Sequence, residues 1–242
     1  METKEKKQCE ADRSKPYSKG SYNEIRSEEQ QIRLSEGCPN KCPFCRESWE
    51  NPKLKVFEIP EIVRNKVRIS DMNLLCQKGS LEIIKELGRR KVNNKVIYYE
   101  LLCGIDWRFL DQEKAVALRQ SRFKNIRIAW DYSFSLFQKD IRKAIELLKN
   151  TGYKTGKHSD IMIFMICNWK TTYKENLRKL DLCKVWNVLV SDCYFDNQVS
   201  PNIKPIHWKE EQIKDFRKRV RKHNQLINFG IDPEPKKDET YS

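Results

Sequence analysis

Short apolar runs alternate with amphipathic stretches through most of the chain. Six runs predict strands: residues 31–35, 66–75 (KVRISDMNLL), 95–103 (KVIYYELLC), 125–131 (NIRIAWD), 160–167 (DIMIFMIC) and 187–191 (NVLVS). Stretches with helical spacing predict helices at 81–87, 111–122, 138–150 and 173–185, and a closing one at 209–227. In the third of these, Ile141, Ala144, Ile145 and Leu148 share one face, and Gly152 stands in the stop position. The strand runs are nearly continuous in apolar residues, as parallel strands covered on both faces require. Right-handed crossovers then curl six such units into an open barrel or a doubly wound sheet. No Gly-x-Gly-x-x-Gly and no Walker sequence occurs, so a dinucleotide or P-loop fold has no support. Parallel α/β folds place ligands at the carboxyl ends of their strands, which directs attention to the residues that end each run.

Residues 1–29 are polar and read as a loose arm with one ordered contact around 17–25. Residues 230–242, with Pro233, Pro235 and several charges, read as an extended tail. Among 242 residues, 38% are hydrophobic and 34% charged, enough apolar material for one core. No apolar stretch has the length of a membrane span and the N-terminus has no secretory pattern, so a cytoplasmic protein is expected. The formal charge of +14 favours an anionic partner such as RNA, DNA or a phosphorylated molecule. The other reading is a Lys-rich and Ile-rich composition with no such partner.

The nine cysteines change the picture more. An odd number in a chain without a secretory signal argues against a disulfide scaffold. Cys38, Cys42 and Cys45 crowd into GCPNKCPFC, directly after the first strand. Thiolates are soft ligands suited to iron–sulfur clusters and to zinc. Three of them can hold three irons of a cubane and leave the fourth iron open to a small molecule. A zinc knuckle would want a fourth Cys or His at short spacing, and the only histidines are the distant His158, His207 and His223.

The loop, C-x3-C-x2-C with the aromatic Phe44 before its last cysteine, resembles the signature of the radical SAM superfamily. The resemblance implies an α/β fold, a partial (βα)6 barrel of parallel strands. It would span 30–206, followed by a basic amphipathic helix at 207–229 packed on it. It also implies a 4Fe-4S cluster on Cys38, Cys42 and Cys45, with S-adenosyl-L-methionine at the open iron. A one-electron donor such as a flavodoxin or ferredoxin would drive cleavage to a 5′-deoxyadenosyl radical, which abstracts hydrogen from a substrate. Carried over by position, Phe44 lies near the adenine. The family's glycine-rich element after strand two is absent, and Asp71 and Asn73 stand in its place, facing the cofactor's amino group. Asp106 and Arg108 follow strand three, Asp131 and Ser133 follow strand four, and Asn168 follows strand five. These are the remaining cofactor-binding candidates, with Arg142 a weaker one. Capping or packing is the other reading of each.

Cys76, Cys103, Cys167 and Cys193 also fall at or just past strand ends, where they would gather near one mouth as a second site, or pack as small apolar side chains. In the last helix Ile213, Phe216 and Val220 make an apolar stripe, while Arg217, Arg219, Arg221 and Lys222 crowd the opposite side as a solvated face or a phosphate groove. Little chain follows 206, so no cobalamin domain or large auxiliary-cluster domain is expected. The competing reading is an iron–sulfur or zinc-containing nucleic-acid-binding module without catalysis. An RNA or a phosphorylated metabolite fits the charge as a substrate.

Overall fold

The computed structural model describes residues 21–40, 42–45, 47, 53–131, 134–194 and 208–231. Its strands are β1 (Tyr22–Ile25), β2 (Gln30–Arg33), β3 (Ser35–Glu36), β4 (Lys55–Val56), β5 (Lys66–Ile69), β6 (Lys91–Val92), β7 (Lys95–Val96), β8 (Tyr98–Leu101), β9 (Ile126–Ala129), β10 (Ile161–Cys167) and β11 (Leu189–Tyr194). Its helices are α1 (Ser80–Arg89), α2 (Gln112–Gln120), α3 (Phe134–Asn150), α4 (Tyr173–Val185) and α5 (Glu210–Phe229).

Two parallel groups carry the fold. β2, β5 and β8 pair side by side, and β9, β10 and β11 form a second set. A seam joins them. Tyr99 bridges Phe123 and Ile105 bridges Ile128, both in parallel. The Ile105 N–H donates to the Arg127 carbonyl at 2.7 Å, and the Ala129 N–H returns to Ile105 at 3.2 Å. Read through this seam, six parallel strands follow one another in chain order, as repeated right-handed strand–helix units dictate. β10 lies between two neighbours, and its residues from Ile161 to Cys167 are apolar on both faces, as an interior parallel strand must be. The core runs through the whole set, from Ile32 and Ile69 through Leu101 and Ile128 to Ile163 and Val190.

Several boundaries depart from the sequence pattern for local reasons. The second predicted strand, 66–75, stops at Ile69, because Asp71 turns back toward β2 and Leu74–Cys76 closes a 3-10 turn. The third, 95–103, divides: Asn93 and Asn94, with φ of 50° and 62°, make a tight hairpin between β6 and β7 before β8 begins. β1 pairs antiparallel with β2, so the ordered contact expected in the arm is an edge strand. The stretch 17–20, the rest of the arm and the tail beyond 231 lie outside the described residues. α4 has the predicted ends, the first of them fixed by a reciprocal capping box between Thr172 and Glu175. Asp111 caps α2 through the Lys114 N–H at 2.8 Å. α5 packs against β11 and α4 through Phe216 and Val220.

Candidate functional site

The cysteine loop is closed by a buried ion pair. Arg33, the last residue of β2, meets Glu47 with Nη2 and Oε1 2.7 Å apart, and the side chains are 4% and 0% exposed. The same Glu47 oxygen accepts from the Gly37 backbone, so a residue just past Cys45 is tied to the strand that enters the loop. Arg33 Nε also donates to the Ser35 carbonyl at 2.9 Å. Asp71 supports the loop from below. Its buried carboxylate accepts from the Leu34 N–H at 2.8 Å, Ser35 Oγ at 2.5 Å and Gln77 Nε2 at 3.1 Å. Burial raises the Asp71 pKa, and these bonds pull it part of the way back. The Asp71 carboxylate therefore serves the scaffold of the loop.

Cys38 is buried, and Cys42 and Cys45 are half-buried, with the Cys45 N–H donating to the Cys42 carbonyl at 3.0 Å. Around Cys38 stand groups from the next two strand ends. The Asn73 amide nitrogen lies 3.9 Å from Cys38 Sγ and 3.5 Å from Asp106 Oδ2. Asn40 donates to the same Asp106 oxygen at 2.6 Å. The neighbouring Cys76 thiol, ahead of the Asn40 backbone and the Asn73 amide, draws the Cys38 thiol pKa below its ordinary value against the penalty of burial. Burial alone would raise Asp106, but hydrogen bonds from Arg108 and Asn40 outweigh it and hold the carboxyl below its usual range. Arg108 grips Asp106 with Nε at 2.8 Å and Nη2 at 2.6 Å.

The far wall comes from the second group of strands. Phe44 packs edge-on against Trp169, with ring centroids 5.8 Å apart, although their strands are four places apart in the sheet order. The loops at the carboxyl ends therefore converge on one mouth. Burial pushes the Asp131 carboxyl up to about 6, with Lys179 and the Ile166 backbone pulling against it and Asp106 adding to it. Asn168 follows β10 in a left-handed conformation, with φ 51°. Ser133 lies outside the described residues.

Among the four further cysteines, Cys76 donates its thiol to the Asn73 carbonyl at 3.1 Å. Cys103 lies in the field of Cys45, its thiol donating to the Ser70 carbonyl at 3.7 Å and pushed up to about 12, first by burial. Cys167 is instead enclosed beside Asn176, and Cys193 is exposed on β11. On α5, Arg217 lies over the Tyr194 ring at 4.2 Å and Arg219 pairs with Asp215 at 2.6 Å, while Arg221 and Lys222 are exposed.

Three participants were not singled out by the sequence pattern. Arg33 and Glu47 look like ordinary charges until the loop brings them together. Lys179, fully buried, shares the inner face of α4 with Asn176, Leu180 and Cys183, and its ammonium donates to the Trp130 carbonyl at 3.0 Å. A lysine on an apolar helical stripe was the available signal. Burial lowers its pKa to about 8, opposed by Asp131.

Two observations bear on whether an iron–sulfur cluster and a nucleotide would fit. Three cysteine sulfurs stand on one loop at the strand ends. Next to Cys38, Asn73 Oδ1 is buried, and no donor among the described residues reaches it, an acceptor awaiting an N–H. Among the described residues no three His, Cys, Asp or Glu side chains close around a single metal ion. A cubane spreads its ligands over separate irons and does not require such a tight shell.

Parallel strands in chain order, with a cysteine loop after the first and polar groups after those that follow, give this chain the α/β fold of the radical SAM enzymes. Among solved structures it is similar to the radical S-adenosylmethionine methyltransferase TsrM from Kitasatospora setae, a structure with cobalamin and a [4Fe-4S] cluster bound. The TM-score is 0.55 at 13% identity, over 68% of this chain and 36% of that one. It is also similar to coproporphyrinogen III oxidase (HemN) from Escherichia coli, a radical SAM enzyme, with a TM-score of 0.50 at 11% identity, over 67% of this chain and 40% of that one. The chain thus spans well under half the length of either structure. No protein-family model matches it, and no curated protein matches it in sequence. No helix among the described residues is long and apolar enough to cross a membrane.

Proposed function

We propose that the chain is a radical SAM enzyme whose six parallel strands form a partial barrel over about 30–206, with α5 packed on it. In this reading Cys38, Cys42 and Cys45 hold a 4Fe-4S cluster and S-adenosyl-L-methionine binds beside it. The observation that carries the reading is the cysteine loop at the carboxyl end of the first parallel strand, with the unpartnered Asn73 oxygen next to Cys38. When bound and reduced by a one-electron donor, the cofactors supply a 5′-deoxyadenosyl radical for hydrogen abstraction.

The residues of the chain bind, orient and exclude water. Asn73 Oδ1 offers an acceptor to the cofactor's ammonium. Asp106, kept ionised by Arg108, offers a carboxylate at the same mouth to an ammonium or a ribose hydroxyl. Phe44 and Trp169 wall the mouth with aromatic surface and keep water from it. Asp131 and Asn168 stand on the far side as candidates for the ribose or the substrate. Ser133, Arg142 and the basic face of α5 remain proposals of the sequence alone, the last for an anionic substrate.

Anaerobic reconstitution of the wild type should give about four irons per chain. Dithionite with S-adenosyl-L-methionine should then release 5′-deoxyadenosine, and Cys42→Ala should release none. A chain that fills with zinc alone, or a reduced four-iron chain that leaves the nucleotide intact, defeats the reading.

A further inference from the structure

The parallel strands carry two unlike faces. On one, Val67, Ile69, Tyr99, Leu101, Ile126 and Ile128 are buried in the same core as Ile84, Leu118 and Ile145 of the helices. The residues between them face the other way, toward the inside of the curve, because side chains alternate along a strand. Gln31, Arg68, Glu100, Arg127, Phe164 and Ser191 stand on this inner face, and each is partly exposed. A closed eight-stranded barrel fills that side with bulky branched residues. Here it is polar and open, a lining for a polar molecule.

The two arginines on this face are held differently. Arg127 is engaged within the fold. Its Nη1 donates to the Leu101 carbonyl at 2.9 Å, its Nη2 donates to Glu100, and its guanidinium lies over the Phe164 ring at 5.7 Å. Arg68, the register partner of Glu100, offers its Nε to carboxylates. That atom is 3.1 Å from Glu29 Oε2 and 3.9 Å from Glu100 Oε2, without a well-aligned hydrogen bond to either. The terminal nitrogens of Arg68 make no hydrogen bond among the described residues, and the side chain is 31% exposed. Two carboxylates thus steady the inner nitrogen of the guanidinium and leave its outer fork bare. Such a fork matches a carboxylate or a phosphate with two parallel bonds.

We propose that Arg68 holds an oxyanion of the substrate, a carboxylate or phosphate group, on the inner face of the barrel. The proposal deepens the radical SAM reading above and rests on it for what happens at the other end of the molecule. Ser70 follows on the same face, about 7 Å nearer the mouth at the usual rise of a strand. A molecule anchored at Arg68 therefore extends along β5 toward the mouth, where Asn73 and Asp106 stand. The substrate is an elongated polar molecule with an anionic end at Arg68 and its reacting carbon at the mouth. Glu29 and Glu100 balance the guanidinium until the anion arrives.

The test uses the anaerobically reconstituted full chain. Phenylglyoxal, which attacks accessible guanidinium groups, is applied with and without millimolar inorganic phosphate or succinate, and the modified positions are read by peptide mass spectrometry. Arg68 should be modified, and one or both anions should slow its modification severalfold. Arg89, exposed on α1, should react at the same rate throughout. Protection by phosphate alone or by succinate alone identifies which oxyanion the fork accepts. Equilibrium dialysis of the protecting anion should show binding that falls about tenfold or more in Arg68→Gln, since a charged hydrogen bond is lost. Arg68→Lys, with the charge but not the fork, should recover little of it. Circular dichroism reports whether each variant folds. An Arg68 that resists phenylglyoxal, or reacts at one rate with and without both anions, would overturn the proposal, as would wild-type binding by a folded Arg68→Gln. Iron analysis of the same preparation reports on the cluster separately. Four irons with an unprotected Arg68 defeat the oxyanion site alone, whereas zinc alone with a protected Arg68 defeats the cluster reading while the oxyanion site stands.

Discussion

Glu47 shows how a single side chain can set the loop. It is fully buried, binds the Arg33 guanidinium and accepts from the Gly37 backbone. Removing one partner of a buried pair leaves the other charge uncompensated, which costs about 3 kcal/mol or more. Glu47→Gln should therefore lower unfolding free energy by that order in urea melts and reduce iron uptake, because the two ends of the loop separate. Unchanged stability would mean that the pair does not hold the loop. Asp131 makes a second, pH-dependent prediction. Its folded pKa is raised from 3.8 to about 6, so the folded state binds the proton more tightly than the unfolded chain. The associated stability is present below about pH 4 and is lost as pH rises through about 6. Asp131→Asn carries no such penalty and should gain about 3 kcal/mol on the wild type between those limits. A stability gap that stays constant between acid and neutral pH would count against the buried carboxyl. The three loop cysteines are legible in the sequence because their spacing is local. Arg33 with Glu47 and Cys38 with Asn73 are not, because each pair meets only after the chain has folded.

Among the elements, the seam between β8 and β9 depends on Gly104. Its φ is +82°, and a Cβ there would meet the Arg127 carbonyl oxygen at 2.8 Å. Gly104→Ala should cost on the order of 3 kcal/mol, since left-handed strain and a backbone clash act together. Gly156, at φ +80° with nothing near its Cβ position, supplies the control, and Gly156→Ala should cost only about 1 kcal/mol. Equal losses in thermal or urea unfolding would show that the seam does not depend on close approach at Gly104. Element ends were legible where a short-range signal fixed them, as the Thr172–Glu175 capping box fixes α4. They were misread where apolar pattern alone was followed. The run 66–75 reads as one strand, yet the buried carboxylate of Asp71 bends it toward β2. The run 95–103 also reads as one strand, yet its first two residues pair back with β6 as β7, and β8 begins only at Tyr98.

Across the whole molecule, the mouth exists only because the two strand groups curve toward each other. Phe44 and Trp169 record that curvature. A double-mutant cycle with Phe44→Ala and Trp169→Ala should give a coupling of about 0.5–1.5 kcal/mol in unfolding free energy, as packed aromatic pairs do. Additive losses would mean that the ring contact does not form in solution. The basic charge of the chain is less of a common surface than its total suggests. Arg217 lies over Tyr194 and Arg219 is paired with Asp215, so charges that form one stripe in the sequence are distributed among neighbours in the fold.

Local order settled the class of fold and the sulfur-rich loop: apolar runs of strand length, helices of the right spacing between them, and three cysteines a few residues apart. Each of these is a relation between near neighbours, which a linear chain displays directly. Tertiary structure alone decided which polar residues share the mouth, which carboxylate is taken up by the scaffold, and which of the dispersed cysteines are enclosed. Those relations join residues separated by tens of positions, and they arise only when burial of the apolar runs brings strand ends together and makes every enclosed charge find a partner.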